Sequence, residues 1–116
     1  MQIDELELGG RTAARCRAEA DERIAAVGDF LDLMGSCAVE TIVLERDHFD
    51  PAFFELRSGL AGEILQKVSN YRKRLVVLGD FSAEKSRALR DFIYESNRTG
   101  QVVFAPDLAA AERLLR

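Results

Sequence analysis

Three short apolar runs constrain this chain more than any other feature: Thr41-Ile42-Val43-Leu44, Leu75-Val76-Val77-Leu78 and Val102-Val103-Phe104. Each is rich in β-branched residues and has no polar alternation. A strand with one wet face alternates apolar with polar, so a continuous run reads as a strand covered on both faces, as in a parallel sheet. The stretches between the runs carry helical spacing. Strands alternating with helices predict right-handed crossovers that lay helices on a sheet.

The remaining elements follow from local chemistry. Residues 2–8 and 11–17 alternate, Leu6 and Leu8 against Glu5 and Glu7, then Ala14 and Cys16 against Arg15 and Arg17. Gly9-Gly10 between them predicts a tight hairpin, because a type I′ turn needs positive φ at both central residues. From Ala20 to about Met34 the residues Ile24, Val27, Leu31 and Met34 form a helical stripe, with Gly35 as its left-handed stop. Asp50-Pro51 restarts helical structure, and Phe53, Phe54 and Leu56 anchor that segment to the core. A main helix is predicted from about Ser58 to Tyr71, with Leu60, Ile64, Val68 and Tyr71 facing inward. Gly59 and Gly62 would let it approach the sheet closely. Ser82 is the expected cap of the next helix, whose inward residues are Leu89, Phe92 and Ile93 and whose exit is marked by Asn97 and Gly100. Asp107 caps a closing helix carrying Leu108, Ala111, Leu114 and Leu115. The prediction is one α/β domain over residues 1–116: an N-terminal β-hairpin, then βαβ units, in the order ββαβαβαβα, forming a mixed sheet.

Composition narrows the function classes. A chain of 116 residues has room for one core. Its net charge of −4 argues against the phosphate attraction that dominates nucleic-acid binding. The local exception, Arg72-Lys73-Arg74, reads first as a complement to a helix C-terminus. No run is long enough to span a membrane, and the acidic start Met1-Gln2-Ile3-Asp4-Glu5 is unlike a signal peptide, so a cytoplasmic location is expected. Cys16 and Cys37 read as reduced core residues, although their spacing alone allows a disulfide. One histidine and two scattered cysteines supply no clustered ligand set, so neither metal nor cofactor is expected.

Catalytic motifs are absent as motifs. His48 as base, Asp47 or Asp80 as its orienter and Ser58 as nucleophile would make a small hydrolase, but there is no Gly-x-Ser-x-Gly elbow. Nor is there a P-loop or a Gly-x-Gly-x-x-Gly. In parallel sheets functional groups gather beyond the carboxyl ends of strands. Here those loops hold Asp47 and His48, Asp80, and Asp107. They define an alternative reading, a small-molecule or nucleotide sensor.

Ser58 opens a helix in this reading. Unpaired amides and partial positive charge at a helix start favour a capping hydroxyl and equally a phosphate on it. Two polar stretches exceed what folding demands: Glu63, Gln66, Lys67, Asn70 and Arg72, followed on the next helix by Arg90, Asp91, Tyr94, Glu95, Ser96 and Asn97. Tyrosine and arginine mixed with asparagine favour recognition surfaces.

The strings Glu63-Ile64-Leu65-Gln66-Lys67, Ser69-Asn70-Tyr71-Arg72, Gly79-Asp80-Phe81-Ser82 and Arg90-Asp91-Phe92-Ile93-Tyr94-Glu95-Ser96-Asn97 resemble a bacterial family catalogued as domain of unknown function 4180, across about the whole chain. That resemblance implies domain boundaries and no activity. More distantly, the element order is similar to the sulfate-transporter and anti-sigma-factor-antagonist (STAS) domain. There a strand like Ile42-Val43-Leu44 leads to a Ser-Gly-Leu that opens a helix, here Ser58-Gly59-Leu60. In bacterial antagonists of that fold, a partner kinase phosphorylates this serine and releases the target. The chain departs from the pattern in placing Leu56-Arg57, not an aspartate, before the serine.

The expectation is therefore a STAS-like, non-enzymatic regulatory domain that binds a protein partner, with Ser58 as its switch. The expected contact residues are Asp47, His48, Gly59, Glu63, Asn70, Tyr71, Arg72, Asp80, Tyr94 and Asn97. Neither nucleic acid nor membrane is an expected partner. The free edge of the hairpin would allow a homodimer.

Overall fold

A computed structural model describes residues 1–17, 19 and 21–116. Five strands form one mixed sheet in sequential order: β1 (Gln2–Leu8), β2 (Arg11–Arg17), β3 (Thr41–Glu45), β4 (Arg74–Leu78) and β5 (Val102–Ala105). β1 and β2 pair antiparallel around Gly9 and Gly10, whose φ values of 60° and 77° suit the tight turn. All later pairs are parallel. The described residues hold four helices: α1 (Val27–Gly35), α2 (Leu60–Asn70), α3 (Arg87–Thr99) and α4 (Leu108–Leu114). Three short 3-10 turns, Arg46–His48, Pro51–Phe54 and Leu56–Ser58, fill the passage from β3 to α2.

The apolar runs are buried on both faces because successive side chains point to opposite sides. Ile42, Leu44, Leu75, Val77, Val102 and Phe104 face a core built with α1 and α2, against which Phe92 and Ile93 of α3 also pack. Val43, Val76, Leu78, Val103 and Ala105 face the other way, onto Leu108, Ala111 and Leu114 of α4. With α1, α2 and α3 on one face and strands added in one direction, the three crossovers share one hand.

The free edge of β5 is closed by a side chain. Asn97 donates to the Phe104 carbonyl at 3.1 Å and accepts the Phe104 N–H at 2.8 Å, standing in for a neighbouring strand. β1, at the opposite edge, carries Asp4, Glu5 and Glu7. A second β1 paired against it would oppose like charges.

Several local expectations are corrected. The first helix begins at Val27, where the Asp29 carboxylate accepts the Ala25 and Ala26 amides. Ala20 lies outside the described residues. Ile24 is extended: its N–H donates to the His48 carbonyl, and its own carbonyl accepts from Asp50. Gly35 is not left-handed; the helix ends at Ser36 in the right-handed region. Tyr71 turns outward at 59% exposure instead of completing the α2 stripe, since the chain leaves the helix there. Ser86 caps α3 by accepting the Leu89 N–H, while Ser82 is held by Asp80. Gly59 and Gly62 are exposed with open space beside them, so close helix–sheet approach does not explain them.

Candidate functional site

The carboxyl ends of the parallel strands form a rim built mainly by the β3–α2 passage. Asp50 opens it by accepting the Ala52 N–H at 3.0 Å. Phe53 is buried, with its ring tilted against Phe49 at 4.4 Å and meeting Phe54 edge-to-face at 4.9 Å. Phe81 and Phe92 close on Phe104 edge-to-face at 5.4 and 5.9 Å. These contacts fasten an irregular segment whose one backbone bridge is to Ile24 among the described residues.

Arg46 organises the polar side of the rim. Its guanidinium lies 4.9 Å from the ring centres of both Phe54 and Phe81. It donates to the Asp80 carbonyl at 2.8 Å and meets Glu84 at 3.4 Å. The Asp80 carboxylate accepts the Ser82 hydroxyl at 2.6 Å and amide at 2.9 Å, which lowers its pKa, with Arg46 adding a smaller push. Sequence reading missed Arg46 as a site residue. The available signal was an arginine in a strand-end loop within a phenylalanine-rich segment, and all its partners but Phe54 lie more than thirty positions away.

Ser58 is exposed at the end of the last 3-10 turn. It is not the cap of α2; Gly59, left-handed at φ 80°, holds that position. The Ser58 hydroxyl donates to the Ala52 carbonyl at 2.5 Å and accepts the Leu60 N–H at 3.2 Å. It therefore ties the Pro51–Phe54 turn to the first amide of α2. Leu60 faces the core as expected, and Ala61 is buried beside it.

His48 is buried at 4% exposure in the wall of a pocket of about 420 Å³ beyond β2 and β3. Arg17, Glu19, Arg23, Glu45 and Asp47 share the lining. Neither ring nitrogen makes a hydrogen bond among the described residues. Burial lowers the imidazole pKa; the nearby Glu22 backbone and carboxylate oppose that shift without reaching hydrogen-bonding geometry. With His48 unbonded and Ser58 donating to a carbonyl, the base–nucleophile contact of a hydrolytic triad is not made.

Cys16 also lines this pocket, its sulfur 3.7 Å from that of Cys37, and both are free thiols. Burial, with Cys37 beside it, pushes the Cys16 thiol up to about 12. Among the described residues no cluster of three or more metal-ligating side chains occurs.

The predicted contact residues separate into groups. Asp47, His48, Ser58, Gly59, Glu63 and Asp80 lie at or near the rim. Asn70, Tyr71 and Arg72 lie at the other end of α2, a helix about 16 Å long by its rise per residue. Asn70 accepts from Gln66 at 2.9 Å. Asn97 is spent on closing the β5 edge. Tyr94 stands on the outer face of α3 at 67% exposure.

Comparison with known families matches residues 9–115 to the domain of unknown function family DUF4180. The chain belongs to that family. The match spans the sheet from the hairpin turn onward and all four helices. No curated protein and no solved structure matches the chain. Among the described residues, no helix is long and apolar enough to cross a membrane.

Proposed function

We propose that this DUF4180 domain is a STAS-like, non-enzymatic regulatory module in the cytoplasm that engages a protein partner through the rim around Ser58. The observation that carries the reading is the double engagement of one exposed hydroxyl, bonded to the Ala52 carbonyl and the Leu60 amide. A phosphate ester there would remove the O–H donor and add nearly two negative charges. Glu63 stands in the first turn of α2, so the added charge would meet a like charge there as well as alter the surface. Affinity capture with Ser58→Asp, Ser58→Ala and wild type tests it. Both variants lose the hydroxyl's donation to the Ala52 carbonyl, at about 1 kcal/mol, while an aspartate keeps an acceptor for the Leu60 N–H, so a partner lost on Ser58→Asp alone reports the added charge and not the missing bond. A partner retained by Ser58→Ala and lost by Ser58→Asp is expected; equal recovery on both removes the switch.

A second reading, a small-molecule or nucleotide sensor at the same rim, is favoured by the pocket whose wall holds the unbonded His48. Its test is a thermal-shift screen, since a ligand at 100 times its Kd adds about 2.7 kcal/mol. A flat response across nucleotides and common metabolites would dismiss it.

A further inference from the structure

The pole opposite the rim carries a feature that the regulatory reading leaves unused. α2 ends in a Schellman turn, in which Arg72 N–H donates to the Ser69 carbonyl at 3.1 Å and Lys73 N–H to the Val68 carbonyl at 2.9 Å. The residue that must turn left-handed is Arg72, with φ 55°. Glycine or asparagine normally occupies that position, because a Cβ is strained there. Arg72 is the one non-glycine residue with positive φ among those described. A long cationic side chain kept in a strained conformation points to a use for the side chain. Complementing the helix C-terminus does not demand this position, since neighbouring positions in the last turn serve as well without strain.

Arg72 borders a cavity of about 270 Å³ between the end of α2, the start of β4 and the turn after α3. Arg74, Arg116, Ser69, Thr99 and Gln101 line it with no carboxylate side chain among them. The fold uses several of the other polar groups there. Thr99 donates to the Glu95 carbonyl and Gln101 to the Lys73 carbonyl. Lys73 turns its ammonium away to the Cys37 and Val39 carbonyls. The guanidiniums are less committed. Among the described residues neither Arg72 nor Arg116 has a carboxylate within ion-pair distance, and Arg74 has only a 3.7 Å contact to the exposed Glu40. The Arg116 backbone is held in place: its N–H donates to the Gly100 carbonyl, and its α-carboxylate accepts from Arg11 at 3.2 Å, which supplies that anion with a cation of its own. In a chain of net charge −4, three arginines about one cavity invert the local field.

We propose that this cavity is an anion site that takes a phosphate-bearing small molecule, with Arg72, Arg74 and Arg116 as its cationic walls. Guanidinium forks match phosphate oxygens two at a time. Three of them suit a di- or trianion better than a lone carboxylate. The volume fits a phosphate or diphosphate group and not an extended polymer, which would need a basic stripe across the surface.

The test is titration of the full chain with inorganic pyrophosphate at constant ionic strength, followed by amide NMR shifts and by Tm. Saturable shifts at residues 69–74, 99–101 and 116 are expected in the wild type. Arg72→Gly is expected to raise the basal Tm, by relieving φ, and yet to weaken pyrophosphate binding about tenfold or more, the usual scale for one charge-assisted contact. Arg72→Asn, which tolerates the left-handed conformation, should weaken binding to the same extent and separates charge from flexibility. Absence of saturable binding overturns the proposal, as does unchanged affinity in both variants. Binding of a short oligonucleotide without pyrophosphate binding overturns it in favour of a nucleic-acid backbone contact.

Discussion

At the rim, arginine is tied down: Arg46 lies between Phe54 and Phe81, donates to the Asp80 carbonyl and meets Glu84. At the opposite pole Arg72 and Arg116 face a cavity with no carboxylate side chain in its lining. The same side-chain type is a structural clamp at one end and an uncompensated charge at the other. The difference lies in what the connecting chain supplies. The β3–α2 passage brings phenylalanines and acids to the rim, whereas the opposite pole is made of helix C-termini and tight turns whose last-turn bases, Lys67, Arg98 and Arg113, complement the helix ends. An arginine count alone would rate the two ends alike. Only the partners distinguish a clamp from a free charge.

That contrast can be broken most forcefully at Phe53. If the aromatic cluster holds the rim, Phe53→Ala should cost about 3–5 kcal/mol in denaturant unfolding. A loss below about 1 kcal/mol would mean that the rim is held by its polar bonds instead.

At the opposite pole, Gly100 is left-handed at φ 82°, and an added Cβ would fall 2.9 Å from the Leu114 carbonyl and 2.6 Å from Arg116 Cγ. Gly100→Ala should therefore destabilise by about 2 kcal/mol, measurable as a lowered urea midpoint. It should also displace Arg116. Arg72→Gly should run the other way and stabilise by about 0.5–1 kcal/mol, which the same urea titration would detect. An unchanged or lowered midpoint would remove the strain that sets this pole apart.

The smallest effect concerns protons at the rim. Burial lowers the His48 pKa, so below about pH 6.5 the unfolded chain takes up a proton that the folded chain refuses. Stability then falls with falling pH, until the medium reaches the lowered folded value. Wild-type Tm should decline between pH 7.5 and 5.5, and His48→Leu should flatten part of that decline. Parallel profiles for the two proteins would place the titration elsewhere.

Much of the fold was legible because its signals are local. The hairpin followed from Gly9-Gly10 between alternating strands, and the last three strands from short, continuous apolar runs rich in β-branched residues. The misreadings share one physical origin. Ile24 sits in helical phase with Val27 and Leu31, yet its backbone pairs with His48 and Asp50 from another segment. Ser82 and Ser86 are equally good caps by type; Asp80 captures the first. The candidate site was legible only in its loops. Asp47, His48 and Asp80 were placed by the strand-end rule, while Arg46 depends on rings 8 and 35 residues further along.

From its order of residues alone this chain is committed to an α/β domain, a five-stranded mixed sheet carrying four helices, because backbone periodicity and turn chemistry act between near neighbours. The tertiary structure decided which polar groups are satisfied and which are left over. Ser58 bonded to Ala52, His48 without a side-chain hydrogen bond among the described residues and Arg72 turned left-handed beside Arg116 are outcomes of where the folded chain meets itself. Hydrogen bonds reach only a few ångströms and screened charges about 10 Å, so these outcomes depend on separations in space that spacing along the chain does not encode.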